Sequence, residues 1–401
     1  MREESREQPQ ARKPPAQRRP APGSAVIRRR AGRRMTRHAA MGVVAIAVIA
    51  VSACASADSS GAGNSAAAPA PSPHATWYPA GGQPAASAGP AAAPYFVTLA
   101  FQKLDAPAVV TDAVTGKVLG TVHPPTGGLR FVSAAAAGDD RTFILAAEGA
   151  YPAQSPATRF YELRLDPGGG PQPLSLLRVP AVAYGDKLAV SADGRRLAIA
   201  IGTAGHSQIE VVSLATGAVR LWQSSDRGSA TSLSWADDRW LAFDWSDESR
   251  AAQVARQQSG LRLLDTAAPG TDLMSSRLVV SQAARFGSFG GLTGPLITPD
   301  GSKVFATMVS GVAVNPMAEV VEFSARSGEP LGAMTPPVGE SGTGQWCGTL
   351  WTDPSGQHLL AACGGVPPGG QGRIDNGHFT RMNLHVPTYN FSTPRESFIA
   401  W

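Results

Sequence analysis

Short apolar runs separated by tight polar turns fill the chain from residue 95 to residue 401. The stretch AVSADGRRLAIAIG, residues 189–202, is typical: an apolar run, a turn centred on Asp193, and a second apolar run. The runs are rich in Val, Leu, Phe and Ala and are broken by Gly, Asp and Pro. Helical periodicity is scarce. This pattern predicts many short antiparallel strands and an all-β fold.

The same hairpin recurs along the chain. Related stretches are WADDRWLAFD at 235–244, TPDGSKVFAT at 298–307, TDPSGQHLLA at 352–361 and, more loosely, AAGDDRTFILA at 136–146. A second turn recurs downstream, as DAVTG at 112–116, SLATG at 213–217 and SARSG at 324–328. A small polar residue can hydrogen-bond its own turn, and glycine supplies the positive φ that closes it. Two hairpins in series form four strands, which is one propeller blade.

Counting these hairpins gives five complete blades. They span 131–179, 187–224, 231–280, 295–336 and 348–386, and the last includes Asn376-Gly377 as a two-residue hairpin signal. The segment after residue 95 supplies only three strands, and ESFIAW at 396–401 is a strand without a partner. We therefore predict a β-propeller in which the N- and C-terminal strands close one blade. Six four-stranded blades are expected, with seven possible if an insertion contains another unit.

The repeats carry a resemblance to known propellers. TPDGSKVFAT and SADGRRLAIA resemble the WD-like repeats of propellers related to the periplasmic propeller of the Tol system. DAVTGKVLGTV is similar to turns in quinoprotein and surface-layer propellers. The resemblance covers most of 95–401 and implies blade construction. These motifs are shared by propellers of unrelated activity, so they imply little about function.

Charged residues are unevenly distributed along the chain. Residues 1–38 contain 12 Lys and Arg against 3 acids and form a basic arm of disordered composition, whereas the remainder has 23 basic and 27 acidic residues. The basic excess therefore lies outside the predicted fold, and we do not expect a nucleic-acid partner. A start at Met35 would leave a signal of ordinary length, so the arm could lie upstream of the true start.

An export signal follows the arm. Residues 39–57 carry no charge and come after Arg33, Arg34 and Arg37. Within residues 39–54, Val51-Ser52-Ala53-Cys54 resembles the lipobox of bacterial lipoproteins, which implies acylation at Cys54. An uncleaved transmembrane helix is the alternative. Under either reading, the part after Cys54 faces outside the cytoplasm, anchored to the cell membrane. Residues 55–94, rich in Ala, Pro, Ser and Gly, are predicted to be a linker.

The two other cysteines flank one predicted hairpin. Cys347 and Cys363 lie nearly symmetrically about the turn at 353–356, so they should face each other across two strands. Outside the cytoplasm a disulfide between them is favoured, and two buried free thiols are the alternative. Because nothing completes a set of ligands around these thiols, we expect no metal there. The histidines of the last blade show no metal-binding spacing either.

The predicted innermost strands contain neither carboxylate nor histidine. They read KLAVS, TSLSW, PLIT and GTLW, and we assign Asp193, Asp237 and Asp300 to turns. We therefore expect a binding scaffold for a protein or envelope component, without a cofactor or catalytic residues. The candidate contact loops are 246–260, 281–294 and 337–346. A hydrolase or quinoprotein-type enzyme remains the alternative, with loop acids that converge; the candidates are Asp186, Asp247 and Glu340.

Overall fold

The computed structural model forms six β-sheets arranged as the blades of a propeller. The residues that it describes are 91–100, 104–149, 157–183, 185–203, 205–247, 258–282, 291–310, 317–334, 346–353, 355–364, 370–375, 378–382, 384 and 399–401. Every strand pairing within these residues is antiparallel, apart from one isolated bridge between Gln223 and Asp272. The described part has no helix long and apolar enough to span a bilayer. The prediction of an all-β propeller is confirmed.

The blades follow one another along the chain, with one exception at the closure. Blade A consists of β1 (Tyr95–Thr98), β2 (Ala108–Asp112), β3 (Val118–Val122) and the C-terminal β25 (Ile399–Ala400), in the order β25-β1-β2-β3. Blade B consists of β4 (Leu129–Ala136), β5 (Thr142–Gly149), β6 (Ala157–Arg164), β7 (Ser175–Leu176) and β8 (Val182–Ala183). Both β7 and β8 pair with β6. Blade C consists of β9 (Gly185–Val190), β10 (Arg196–Thr203), β11 (His206–Ser213) and β12 (Val219–Gln223).

The other three blades repeat the same meander. Blade D consists of β13 (Gly228–Ala236), β14 (Trp240–Asp247), β15 (Gly260–Asp265) and β16 (Arg277–Ser281), with a 3₁₀ turn at Leu273–Ser275. Blade E consists of β17 (Gly291–Ile297), β18 (Lys303–Ser310), β19 (Met317–Ser324) and β20 (Pro330–Met334). Blade F consists of β21 (Trp346–Thr352), β22 (His358–Gly364), β23 (Gly370–Asp375) and β24 (His378–Arg381). The predicted count of six blades, with closure by both chain ends, is therefore confirmed.

The hydrophobic core lies between blades. The described residues form six buried clusters, and each cluster joins two neighbouring blades around the ring. Blade D shows why, because successive strand residues point to opposite faces. Trp245 on one face is buried in the cluster shared with blade C, whereas Trp240 on the other packs against the cluster shared with blade E. Because both faces of each sheet are buried against adjacent blades, the stability of each blade depends on its neighbours.

The turns predicted from the repeats are present. In the turn between β9 and β10, the Asp193 carboxylate accepts hydrogen bonds from the Arg195 amide at 2.9 Å and the Ser191 hydroxyl at 2.5 Å. Asp300 is bonded in the same way by Ser302 and Thr298, and Asp237 accepts from the Arg239 amide. The predicted turn role of these three aspartates is confirmed.

Arginine side chains connect neighbouring blades near their outer turns. Arg277 of blade D donates to the carbonyl oxygens of Ala325 and Arg326 in blade E, both at 2.8 Å. Arg220 of blade C bonds the carbonyl of Thr266 in blade D at 2.7 Å. Across the closing seam, Arg373 of blade F donates to a carbonyl of blade A at 3.2 Å. Each bond satisfies a turn carbonyl and fixes the spacing of two blades.

Candidate ligand-binding site at the channel mouth

The first strands of the blades surround a central channel. These strands are β4, β9, β13, β17 and β21, with β25 in the sixth position. In antiparallel blades the turns after these strands all lie at the same end of the ring. We call this end the turn face; its inner turns are at 137–141, 191–195, 237–239, 298–302 and around 353–357. The opposite end is the loop face. The three predicted contact loops join strand ends of the loop face, and most of their residues lie outside the described ones.

A cavity of about 220 Å³ lies in the channel at the turn face. Every blade contributes to its wall, which is formed by these residues: Ala134–Gly138, Leu188–Val190, Ala192, Leu233–Trp235, Leu296, Ile297, Pro299, Trp351–Asp353 and Ile399–Trp401. A smaller cavity of about 70 Å³ shares six of these residues and also touches Ser232 and Gly294. The side chains of the wall are mainly apolar, but polar and apolar atoms contribute about equally to its exposed surface. A concave site that combines apolar side chains with a few polar groups is the usual form of a binding pocket.

Three polar side chains of the wall are hydrogen-bonded within the protein. The Trp235 indole donates to the Ala189 carbonyl at 3.1 Å, and the Trp401 indole donates to the Ala93 carbonyl at 2.9 Å. The Ser234 hydroxyl accepts from the Ile297 amide at 3.2 Å. Because these three groups already have partners, any hydrogen bond to a ligand would come from the other polar atoms of the wall.

Asp353 is the carboxylate of this wall, and it is 1% exposed. Its oxygens accept from the Ala93 amide at 3.3 Å, the Ser355 hydroxyl at 2.8 Å and the His358 amide at 3.3 Å. The prediction that the innermost strands contain no carboxylate is wrong for β9, which includes Asp186. Asp353 was not among the predicted site residues, because its motif is one more turn of the repeat. The equivalent turn residues Ser191 and Thr298 are buried as well.

A second carboxylate, Asp140, lies close enough to Asp353 for their charges to interact. The pKa of Asp140 is raised, first by burial and then by the negative charges of Asp353 and Asp139. Asp139 behaves in the opposite way. Its burial acts to raise its pKa, but hydrogen bonds from Thr142 and Arg141 lower the pKa overall. In this turn of blade B the ionised form of Asp139 is therefore stabilised, and the ionised form of Asp140 is destabilised.

The other predicted candidates lie away from this cavity or outside the described residues. Asp247 ends β14 at the loop face, where its amide donates to the Ser259 hydroxyl. Asp186 lies in β9, but its side chain is not described, and Glu340 lies outside the described residues. The described residues contain no group of three or more His, Cys, Asp or Glu that could hold a metal ion.

The backbone of β21 and β22 pairs Cys347 directly with Cys363. A register shift between Cys347 and Thr349 accommodates the one-residue asymmetry of their positions about the turn. Similar irregularities occur in β4, β13 and β17, and where β9 pairs with β10. The register is compatible with the predicted disulfide, which stays a prediction. Cys54 and its signal lie outside the described residues.

The fold and the channel define this chain as a six-bladed all-β propeller. No known sequence family and no curated protein sequence matches it. Among solved structures it is similar to TolB from Acinetobacter baumannii, with 15% identity, a TM-score of 0.48 and coverage of 71% of this chain and 61% of that chain. The chain thus spans about three fifths of TolB.

Two further structures illustrate the range of similar propellers. A puromycin-hydrolysing peptidase of Mycobacterium tuberculosis has 12% identity and a TM-score of 0.45, with coverage of 74% of this chain and 45% of that chain. Hydrazine synthase of Kuenenia stuttgartiensis has 14% identity and a TM-score of 0.40, with coverage of 70% and 77%. These likenesses say nothing about what the present chain binds.

Proposed function

We propose that this protein is an extracytoplasmic binding propeller that is tethered to the cell membrane and recognises a protein or envelope component at its channel mouth. The observation that carries the proposal is the cavity at the turn face. Its wall combines apolar and aromatic side chains with polar atoms, and two of its indoles are hydrogen-bonded within the protein. Such a wall suits the binding of an apolar group.

The test compares partner capture by the native protein and by a variant whose cavity mouth is blocked. Ala192 is exposed and lines the cavity, so Ala192→Trp should fill the mouth without overpacking the core. Val114 is 69% exposed on blade A and does not line the cavity, so Val114→Trp is the matched control. The affinity tag belongs in residues 55–90, since Trp401 is buried and a C-terminal extension would disturb it.

After cross-linking in intact cells, one dominant partner should be recovered with the native protein and with Val114→Trp but not with Ala192→Trp. Equal capture by Ala192→Trp would exclude the channel mouth as the contact surface and point to the loop face. Failure to capture any partner with the native protein would contradict the scaffold function.

The anchor has its own test. Replacement of Cys54 by Ala should abolish fatty-acid labelling and release the protein from the membrane, if the anchor is a lipid. A protein that stays in the membrane fraction without lipid label would instead have an uncleaved transmembrane segment.

The enzyme alternative predicted from the sequence requires acids from the loop face, chiefly Asp186, Asp247 and Glu340. Measurement of metal content and a hydrolase substrate screen on the purified protein test this alternative directly.

A further inference from the structure

The smaller cavity of the channel differs in chemistry from the larger one. It has a volume of about 70 Å³ and adjoins the larger cavity, since the two share six wall residues, Trp351 among them. None of the ten described residues that form its wall is ionisable, and Ser232 carries their one side-chain hydroxyl. Because nothing in this wall offsets the desolvation of a charge, the cavity favours a neutral group.

Two matching β-bulges of the inner strands form part of this wall. In β13 two residues, the first of them Ser232, oppose a single residue of β14, and Gly294 occupies the same place in β17. Alignment of TSLSWADD at 231–238 with TGPLITPD at 293–300 likewise puts Ser232 at the position of Gly294. Both have a left-handed backbone, with φ of 52° and 60°. Bulges of this kind redirect a side chain away from the regular strand pattern.

Ser232 is destabilising at this bulge in two ways. A positive φ is uncommon for serine, whereas glycine adopts it readily, as Gly294 does in blade E. The Ser232 hydroxyl oxygen is also buried without a hydrogen-bond partner in the described part of the chain. A buried hydroxyl without a partner loses its bonds to water and gains nothing in return. Blade E forms the same bulge without either cost, so the bulge itself does not require the serine.

The position of Ser232 on a cavity wall distinguishes it from similar residues. Among the described residues, three other hydroxyls are buried without a partner, those of Thr111, Ser133 and Thr307. None of these three residues lines either channel cavity. Ser133 is the nearest comparison, because it lies at the register shift of β4 in blade B. Only the Ser232 hydroxyl is therefore placed where a molecule bound in the channel could supply its missing partner.

We infer that the smaller cavity binds the hydroxyl group of a neutral phenol, hydrogen-bonded to Ser232, with the rest of the ligand in the larger cavity. This inference rests on the proposed function, for which it supplies the ligand chemistry. Ser232 is partly exposed, and rotation about its χ1 angle moves the oxygen between staggered positions, one of which can face the ligand. Two hydroxyls suit each other, because each can donate and accept.

The aromatic ring of the ligand is inferred from Trp351. This residue lines both cavities, and an aromatic ring packs favourably against an indole. The phenol can be a free molecule or the tyrosine side chain of a partner protein.

The test compares phenol with toluene, which has nearly the same shape and lacks the hydroxyl. Titration calorimetry on the purified full-length protein gives both association constants, and their ratio, phenol over toluene, is the quantity compared between variants. General changes in packing affect both probes and largely cancel in this ratio. Benzoate and benzylammonium carry a charge on the same ring and should bind at least tenfold more weakly than phenol. Tighter binding of either would contradict a neutral ligand.

The source of the phenol is tested with N-acetyl-tyrosine methylamide and N-acetyl-phenylalanine methylamide. A preference for the tyrosine amide over the phenylalanine amide indicates a partner side chain. A preference for the hydroxyl that appears only with phenol indicates a free ligand.

Ser232→Ala is the informative variant, and Ser133→Ala is its matched control. Ser232→Ala should lower the phenol-to-toluene ratio about fivefold, the equivalent of one hydrogen bond. Ser133→Ala removes a comparable buried hydroxyl outside both cavities and should leave the ratio unchanged. Ser232→Gly copies the residue of blade E and keeps the left-handed backbone without strain, so it should fold and show the same fall.

The outcomes separate the inference from the proposed function. If both probes bind but neither Ser232 variant changes their ratio, the hydroxyl site is wrong although the channel binds ligands. If neither probe binds while Ala192→Trp still loses its partner, the inference falls and the proposed function stands. If neither probe binds and Ala192→Trp keeps its partner, both fall.

Discussion

Trp401 is the residue on which closure of the ring should depend most. It is 4% exposed, follows the two-residue strand β25, and contacts the cluster between blades F and A. Replacement of a buried Trp by Ala costs about 3–5 kcal/mol. Loss of the indole bond to the Ala93 carbonyl adds about 1 kcal/mol. We therefore expect Trp401→Ala to lower the free energy of unfolding by about 4–6 kcal/mol.

This expectation can be measured by urea and thermal unfolding of the purified protein. For a large domain, roughly 2 °C per kcal/mol gives a fall in melting temperature on the order of 10 °C. Trp401→Phe keeps most of the apolar contact and loses the hydrogen bond, so it should cost about 1–2 kcal/mol. Leu176→Ala, at a side chain that is 62% exposed, is the control and should change stability by less than about 0.5 kcal/mol. A loss below about 1 kcal/mol for Trp401→Ala would refute closure of the ring by this residue.

Three more predictions concern blades B, F and D. At pH 7, Asp139→Asn should lower stability by about 1 kcal/mol, because the turn hydrogen bonds that lower its pKa are weakened. Asp140→Asn should raise stability, because burial and nearby charges oppose its ionisation. The stabilisation of the fold by ionised Asp139 is present above its ordinary pKa of 3.8 and is lost as the pH falls through the lowered pKa. The destabilisation of the fold by ionised Asp140 appears as the pH rises above 3.8. Urea unfolding at pH 7 and pH 3 tests whether Asp139→Asn lowers and Asp140→Asn raises the stability. Equal effects of the two variants would contradict the argument. Intact-mass analysis before and after thiol alkylation should show Cys347 and Cys363 oxidised in exported protein, and their reduction should cost about 3 kcal/mol; free thiols would contradict the disulfide. Arg277→Ala should cost about 1 kcal/mol and speed amide exchange where blades D and E meet, and unchanged exchange would show that its carbonyl bonds contribute nothing.

The blade repeat could be predicted because its information is local. An aspartate or serine that bonds its own turn, and a glycine with positive φ such as Gly194 or Gly301, are dictated by backbone geometry within a few residues. Alternation along a strand likewise explains why Trp240 and Trp245, five residues apart, lie on opposite faces of blade D. The terminal strand could be assigned to blade A because a propeller leaves no other position for it.

The wall of the cavity could not be predicted because its information is not local. The first blade brings the Ala93 amide, 260 residues away in sequence, against the Asp353 carboxylate. The bond of Arg373 to blade A spans the same interval. In the sequence both residues look like ordinary members of a turn and a strand. Only the packing of complete blades distinguishes them.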